Sequence, residues 1–181
     1  MGATLLGCPV GDGDGRLRSA EFEALTQWVK GVGLVGELNA IDQESVQRVL
    51  ADYALDYLQV RYPVAPDILA DVNLPLLLQV RLEGDETVAS LSTLLAPYVP
   101  YVQYFLVEAT TAAVTSDLAP MVHQLAVQFP ILQGFGVVPE CLPQLLGAPI
   151  KGLALQGGVE LRPGYKDYEE LAMVLEGLTV G

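Results

Sequence analysis

Short apolar runs recur along the whole chain, and polar or turn-forming residues bound each of them. Seven runs of five to nine residues are mostly apolar. Runs of this length and composition are typical of strands that are buried on both faces of a sheet. The predicted strands cover residues 3–10, 32–38, 56–61, 74–82, 102–109, 131–136 and 150–156.

Helical patterns separate the apolar runs. The first predicted helix places Phe22, Leu25, Trp28 and Val29 on one face, and Ser19 stands where an N-cap would stand. The later helices are predicted over residues 42–51, 66–70, 86–96, 117–128, 139–146 and 168–178. Strictly alternating strands and helices indicate parallel strands joined by right-handed crossovers. The sequence therefore predicts an α/β fold of about seven strand–helix units, in a single domain of residues 1–181.

Composition supports this prediction and indicates the cellular compartment of the protein. Hydrophobic residues make up 51% of the chain, with a mean hydropathy of +0.39, which suits a parallel sheet covered by helices. The best apolar stretch, residues 94–107, is interrupted by Pro97, Pro100 and Gln103 and is not expected to span a bilayer. The N-terminus lacks the basic segment of a secretion signal. We expect a cytoplasmic protein that does not bind membranes.

Net charge and cysteine usage argue against a nucleic-acid-binding protein and against a zinc protein. The net charge of −13, from 22 acidic and 9 basic residues, would repel a nucleic-acid backbone. Cys8 and Cys141 are far apart and lack the partners of a zinc site, so we expect reduced thiols, no metal and no cofactor. The single histidine, His123, lies in a helical pattern and is interpreted as an ordinary surface or boundary residue.

The glycine-rich loop at residues 11–15 follows the first predicted strand. Arg16 stands where the last glycine of a dinucleotide-binding motif would fall, and no glutamate stands at the distance that a calcium loop requires. The loop is therefore interpreted as flexible and solvated.

A second glycine turn follows the last predicted strand. Gly157 and Gly158 end the apolar run, a polar loop with Pro163 and Gly164 follows, and Asp167 stands at a helix N-cap position. Paired glycines let the backbone approach a ligand, and free N–H groups there suit an oxyanion such as phosphate. In barrels of alternating strands and helices, phosphate sites lie in the loops after the last two strands. The simpler alternative is a turn followed by a cap.

This segment resembles the phosphoribosylanthranilate isomerase family of tryptophan biosynthesis. The family reads roughly Val-Ser-Ser-Gly-Val-Glu, two spacers, Pro-Gly, a spacer and Lys-Asp; here the frame is Leu155-Gln-Gly-Gly-Val-Glu160, Pro163-Gly164 and Lys166-Asp167. The resemblance implies a TIM-barrel-like (β/α) barrel and a small phosphorylated, sugar-phosphate ligand. When the glycine pair is set on the eighth strand of the family, residues 3–10 fall on the second strand. We therefore expect a divergent, N-terminally shortened relative that lacks the first strand.

The resemblance also implies substrate-binding and phosphate-binding residues. These are Arg16, Gln59, Arg81, Gly134, Gly136, Gly157 and Gly158. Phe135 separates the two glycines that are adjacent in the family, which places one wall of the phosphate site in question. A structural alternative is that Arg61, Arg81, Glu37 and Glu108 neutralise one another in polar layers of the barrel mouth.

The family's reaction, an Amadori rearrangement, needs a general acid and a general base. In the family a cysteine in Lys-x-Cys-Gly on the first strand is the base, and an aspartate ending the sixth strand is the acid. The cysteine motif is missing here, and Glu108 stands at the aspartate position, either as a catalytic or ligand-contacting group or as a solvated rim residue. Cys8 also ends a strand, but burial as a small apolar residue is the favoured interpretation over catalysis.

The segment 109–116 is short and lacks glycine, whereas the family has a long glycine-rich lid at this position. We therefore expect a chain that keeps the scaffold and a phosphorylated ligand but has lost the isomerase activity. The alternatives are an active isomerase, an intramolecular oxidoreductase acting on phosphoribosylanthranilate or a related phosphorylated sugar amine, or a purely structural or assembly protein. A homodimer through outer apolar helices is a further expectation, as is a close approach of the first and last strands.

Overall fold

A sheet of seven parallel strands organises the protein, and its strand order follows the chain from β1 to β7. The computed structural model describes residues 3–39, 42–111, 113–157, 160–162 and 165–180. The strands are β1 (Leu5–Pro9), β2 (Gly33–Leu38), β3 (Tyr57–Arg61), β4 (Leu76–Leu82), β5 (Tyr104–Ala109), β6 (Ile131–Gln133) and β7 (Gly152–Leu153). The predicted α/β fold with seven strands is confirmed. The close approach predicted for the first and last strands stays a prediction.

Helices alternate with the strands as the apolar periodicity predicts. They are α1 (Ser19–Thr26), α2 (Gln43–Asp52), α3 (Pro66–Ala70), α4 (Val88–Leu95), α5 (Leu118–Ala126), α6 (Leu142–Leu146) and α7 (Glu169–Val180). Asp42 caps α2, because its Oδ1 accepts a hydrogen bond of 2.8 Å from the Ser45 N–H. None of the helices in the described ranges carries an apolar segment long enough to cross a membrane.

Three predicted details are wrong. Ser19, predicted at the N-cap of the first helix, is its first helical residue, and Arg18 is the N-cap. The polar loop expected before α7 contains an antiparallel pair, β8 (Glu160–Arg162) and β9 (Tyr165–Lys166). On the predicted face of the first helix, Phe22 is buried but Leu25 and Trp28 are exposed. Trp28 lies beyond the helix, because α1 ends at Thr26, whereas Leu25 is on α1 and faces solvent.

The chain divides into two compact units. Unit 1 comprises Arg81–Leu95 and Phe105–Gly181 together with Met1–Gly2, and unit 2 comprises Ala3–Val80 and Ala96–Tyr104. The single domain predicted for residues 1–181 is left untested by this division and stays a prediction.

Unit 2 builds its core from one face of its strands. On β3, Leu58 and Val60 are fully buried, whereas the alternate residues Gln59 and Arg61 lie on the other face. Val46 and Val49 of α2 are also buried. The parallel register pairs Glu37 with Gln59 and Arg61 with Gln79, so polar residues share one face near the strand ends.

Unit 1 has a separate apolar core around β5 and β6. Phe105 and Ile131 are opposite each other in the ladder and are both fully buried. Phe105 also meets Phe129 edge to face, with ring centroids 5.8 Å apart. Val122 and Leu125 of α5 complete this core. The carboxyl ends of β5, β6 and β7 extend beyond this apolar core.

Candidate functional site

A row of polar side chains lies on β3 and on the middle of β4 in unit 2. The Oε1 atom of Gln79 accepts hydrogen bonds from Gln59 Nε2 at 3.4 Å and from Arg61 Nε at 3.2 Å. Gln79 is 8% exposed, Gln59 is half-buried and Arg61 is exposed. The buried amide oxygen is thus compensated by two donors, one of which faces solvent. The structure brings Gln59 together with Arg61 and Gln79.

Arg81 lies two residues farther along β4 than Gln79. Its side chain is exposed, and no hydrogen bond or ion pair joins it to another of the described residues. The predicted contact of Arg81 with a substrate therefore stays a prediction. The sequence suggests that Arg61 belongs to a layer of side chains whose charges neutralise one another. Its Nε donates instead to the neutral side-chain amide oxygen of Gln79.

Cys8 lies at the carboxyl end of β1, next to a carboxylate of β2. A side chain on Gly7 would collide with the Glu37 carboxylate, which shows how closely Glu37 packs against β1. Burial raises the pKa of the Cys8 thiol, and the negative charge of Glu37 raises it further. Both effects favour the protonated thiol, which is neither a good base nor a good nucleophile.

Arg16 is held by main-chain oxygens at the ends of β1 and β2. Its Nη1 donates to the carbonyl oxygens of Val10 at 2.7 Å and Glu37 at 3.2 Å. The guanidinium lines a cavity of about 240 Å³ beside α2. The other lining residues are Gly11, Asp12, Leu38, Asn39, Ser45, Arg48 and Val49. Arg48 binds Asp12 at 2.7 Å and Glu44 at 2.8 Å.

In unit 1, Glu108 meets two residues from the following strand ends. Gln156 Nε2 donates to Glu108 Oε1 at 3.2 Å. A Cβ on Gly134 would lie 3.2 Å from Glu108 Cγ and 3.3 Å from Leu106 Cδ1, so glycine allows the carboxylate stem to pack against β6. Glu108, Gly134 and Gln156 therefore come together at the carboxyl ends of β5, β6 and β7. Sequence analysis missed Gln156, although a polar residue directly before a glycine pair was a usable signal.

A hydrogen-bonded chain fixes the loop after β6. Gln133 is 1% exposed, its Nε2 donates to the Phe135 carbonyl oxygen at 3.0 Å, and its Oε1 is 3.0 Å from His123 Nε2. Phe135 is buried, and Gly136 has a φ of +62°. His123 is half-buried, as a boundary residue should be, but its contact with Gln133 was not predicted. This chain sets the backbone around two predicted phosphate-binding glycines.

The remaining predicted phosphate-binding residues are at the C-terminal turn. Gly157 is exposed, and Gly158 lies outside the described residues. A Cβ on Gly136 would meet no atom within 4 Å, so open space adjoins that turn. Phosphate binding at Gly134, Gly136, Gly157 and Gly158 stays a prediction. Within the described part of the chain, no three histidine, cysteine, aspartate or glutamate side chains form a metal-binding group.

Parallel strands alternating with helices, with polar residues and glycines at the strand carboxyl ends, define an α/β fold of the TIM-barrel type. Solved structures share this fold. The phosphoribosylanthranilate isomerase of Thermotoga maritima matches with a TM-score of 0.77 and 15% identity, over 99% of this chain and 89% of that chain. The enzyme of Thermus thermophilus matches with a TM-score of 0.74 and 21% identity, over the same shares.

A 3-hexulose-6-phosphate synthase is also similar, with a TM-score of 0.66 and 11% identity over 96% of this chain and 86% of that chain. No protein-family model and no curated protein sequence matches the chain. At these identities the structural similarity establishes the fold, and this chain has the fold of the phosphoribosylanthranilate isomerases.

Proposed function

We propose that this chain is a divergent relative of the phosphoribosylanthranilate isomerases that binds a small sugar phosphate and has lost the isomerase reaction. The shared fold and the motif from Leu155 to Asp167 support the relationship. Both kinds of neighbouring enzyme are named for phosphorylated sugar derivatives, which supports the ligand class.

The proposed phosphate end of the ligand lies at the glycines after β6 and β7. Gly136 adopts a left-handed conformation with open space beside it, so its backbone is accessible to an oxyanion. Gly157 is exposed at the end of the last strand of the sheet. Glu108, held by Gln156, is the group proposed to contact the sugar end.

The short, glycine-free segment 109–116, at the position where the family has a long glycine-rich lid, is the observation that carries the proposed loss of activity. The raised pKa of the Cys8 thiol agrees with it. An Amadori rearrangement needs a base that is unprotonated near neutrality. Burial and then the charge of Glu37 raise the pKa of Cys8, the cysteine nearest to the family's catalytic cysteine in strand order, and both effects disfavour its use as a base. The carboxylate of Glu108 is still available in this proposal to contact a ligand.

The loss of activity is tested by incubating the purified protein with phosphoribosylanthranilate and following the decay of its fluorescence. We expect decay at the background rate, alongside rapid decay with an active isomerase as the positive control. Turnover that Glu108→Gln abolishes would overturn this part of the proposal. It would favour the second candidate, an active isomerase with Glu108 as the acid, which the position of this carboxylate near the end of β5 supports.

Ligand binding is tested separately by calorimetry with ribose 5-phosphate and with ribose. We expect saturable binding of the phosphorylated sugar alone and weaker binding by Gly136→Ala. Gly31→Ala is the matched control, because Gly31 also has a positive φ, of +80°, and open space around its Cβ position. Binding of neither sugar would favour a purely structural or assembly role.

Two expectations from the sequence are also part of this proposal, a cytoplasmic location and a homodimer. Exposed apolar side chains in or beyond the outer helices support self-association, among them Trp28 at 80% and Met173 at 52% exposure. Light scattering coupled to gel filtration would determine the mass. A monomer at all concentrations would contradict the dimer.

A further inference from the structure

Two arginines line the cavity beside α2, in a protein with few basic residues. The chain has nine lysines and arginines against 22 acidic residues, and two of the nine, Arg16 and Arg48, line this one cavity. We propose that the cavity is a binding site for a small oxyanion of the phosphate class, separate from the glycine turns after β6 and β7.

The volume of the cavity suits a small ion. About 240 Å³ is below the range of drug-sized pockets, roughly 300–1,000 Å³. It is enough for one tetrahedral oxyanion and a few waters, since a water molecule occupies about 30 Å³ in the liquid. The lining also contains Asn39, whose side-chain amide can donate to an anion, and Ser45, whose hydroxyl already donates to Asp42 Oδ2 at 2.8 Å.

Arg16 supplies a fixed positive charge. Its Nη1 group is held by two main-chain carbonyl oxygens, those of Val10 and Glu37. Neutral acceptors orient the guanidinium without cancelling its charge, and its remaining N–H groups have no hydrogen-bond partner among the described residues. Such a preoriented guanidinium is suited to an anion, because charge-assisted hydrogen bonds are stronger than neutral ones.

Arg48 is the second donor, and a carboxylate of the protein already occupies it. Asp12 Oδ2 lies 2.7 Å from Arg48 Nη1, in the position that an oxygen of a bound anion would take. The Asp12 side chain is 88% exposed and the Arg48 side chain 48%. An ion pair this exposed contributes little to stability, so an incoming anion displaces it at small cost.

The backbone around Asp12 allows that displacement. Gly11 and Gly13 flank it with φ values of +93° and +127°, and Gly15 follows at +75°. Glycines relax the steric limits on this loop, so Asp12 can move away from Arg48 without moving β1. Asp12 thus acts as an internal competitor for the site, and Glu44 holds Arg48 from the other side.

The test is a calorimetric titration of the full chain with inorganic phosphate, in which two matched pairs of variants are compared. Arg48→Gln is expected to weaken phosphate binding about tenfold, as the loss of a charge-assisted contact predicts. Arg18→Gln, which removes an equally charged side chain from the exposed pair with Glu21, is expected to leave it within about twofold. Equal affinities in these two variants would overturn the proposal.

The second pair of variants tests whether Asp12 competes with the anion for Arg48. Asp12→Asn is expected to tighten phosphate binding about tenfold, because it frees Arg48. Asp14→Asn removes the same charge from the same loop. If it tightens phosphate binding as much as Asp12→Asn does, the gain comes from the net charge and not from freeing Arg48, which would contradict the proposal. The absence of saturable binding in both the parent and Asp12→Asn would also overturn it.

Two further comparisons separate sources and sites. Ribose 5-phosphate in place of inorganic phosphate shows whether the cavity takes free phosphate or a phosphoryl ester. Gly31→Ala, which lies outside both proposed sites, is expected to leave binding at this cavity unchanged. Phosphate binding that survives Arg48→Gln but is weakened by Gly136→Ala would support the glycine-turn site and reject this one, so the two proposals fail independently.

Discussion

The two units accommodate polar side chains within an apolar sheet in different ways. In unit 1, Gln133 is buried with both ends of its amide satisfied by His123 and the Phe135 carbonyl. In unit 2, the buried oxygen of Gln79 accepts from Gln59 and from Arg61, which is exposed. A closed chain of partners holds a backbone in place, whereas an open row keeps donors at the surface. The exposure of its partners therefore distinguishes a structural polar residue from a candidate ligand contact.

The largest expected effect comes from breaking the closed chain of unit 1. Gln133→Leu leaves the Phe135 carbonyl and the His123 Nε2 without their buried partner. We expect the free energy of unfolding to fall by about 3 kcal/mol, since each buried polar group left unsatisfied costs roughly 1–3 kcal/mol. Urea unfolding followed by circular dichroism measures the change. A loss no greater than that of Gln79→Leu would contradict the distinction between the units.

The open row of unit 2 is expected to tolerate the corresponding change better. Gln79→Leu removes the acceptor of Gln59 and Arg61, but both side chains reach water. We expect a loss of about 2 kcal/mol or less, since two hydrogen bonds with a net contribution of roughly 1 kcal/mol each are removed. The same unfolding experiment checks it, with Arg61→Gln as the control for the solvent-facing donor.

Gly134 allows a test of the packing around Glu108 at the strand ends of unit 1. In Gly134→Ala, the new Cβ would press on Glu108 Cγ and Leu106 Cδ1, both of which are side-chain atoms. We expect a loss of about 1 kcal/mol, because small overpacking costs roughly 1–3 kcal/mol and these side chains can shift. Sugar-phosphate affinity measured on the same variant would show whether the position of Glu108 matters to the ligand. Unchanged affinity would contradict a ligand contact at Glu108.

The smallest expected effect is an acid-sensitive contribution from Glu86 of unit 1. Burial raises the pKa of this carboxyl, but hydrogen bonds from the backbone N–H groups of residues 83–86 together outweigh burial and leave the pKa below its usual 4.5. A lowered pKa in the folded state stabilises the protein above the unfolded pKa, and this stabilisation is lost as pH falls through the folded pKa. Glu86→Gln should therefore be less stable than the parent at neutral pH and converge with it in acid. Parallel curves would contradict this.

Asp42 provides the matching carboxylate in unit 2. Hydrogen bonds from the Ser45 N–H and then the Ser45 hydroxyl lower its pKa. Asp42→Asn should show the same direction of pH dependence in the same unfolding series.

The strands could be predicted from the sequence because each carries an apolar run, but their lengths could not. β6 and β7 have three and two residues, fewer than the runs that predict them. At β6 the reason is local, because the Phe135 carbonyl bonds the Gln133 side chain after the ladder ends. Side chains compete with a strand for backbone groups, and apolar patterning does not register that competition.

The candidate site could be predicted only where a residue type has a sequence signature. Glycine turns and Glu108 followed from the motif and from strand ends. The bond between Gln156 and Glu108 joins residues 48 positions apart, and Arg16 is held by carbonyl oxygens that any residue possesses. Partners of this kind are set by tertiary structure.

The contact between His123 and Gln133 determines which imidazole nitrogen carries a proton. With the Gln133 Nε2 donating to Phe135, its Oε1 must accept, so His123 Nε2 must be protonated. His123 is also the single histidine of the chain. Its imidazole resonances form an unambiguous spectroscopic reporter, and their chemical shifts will register any ligand that moves the loop between Gly134 and Gly136.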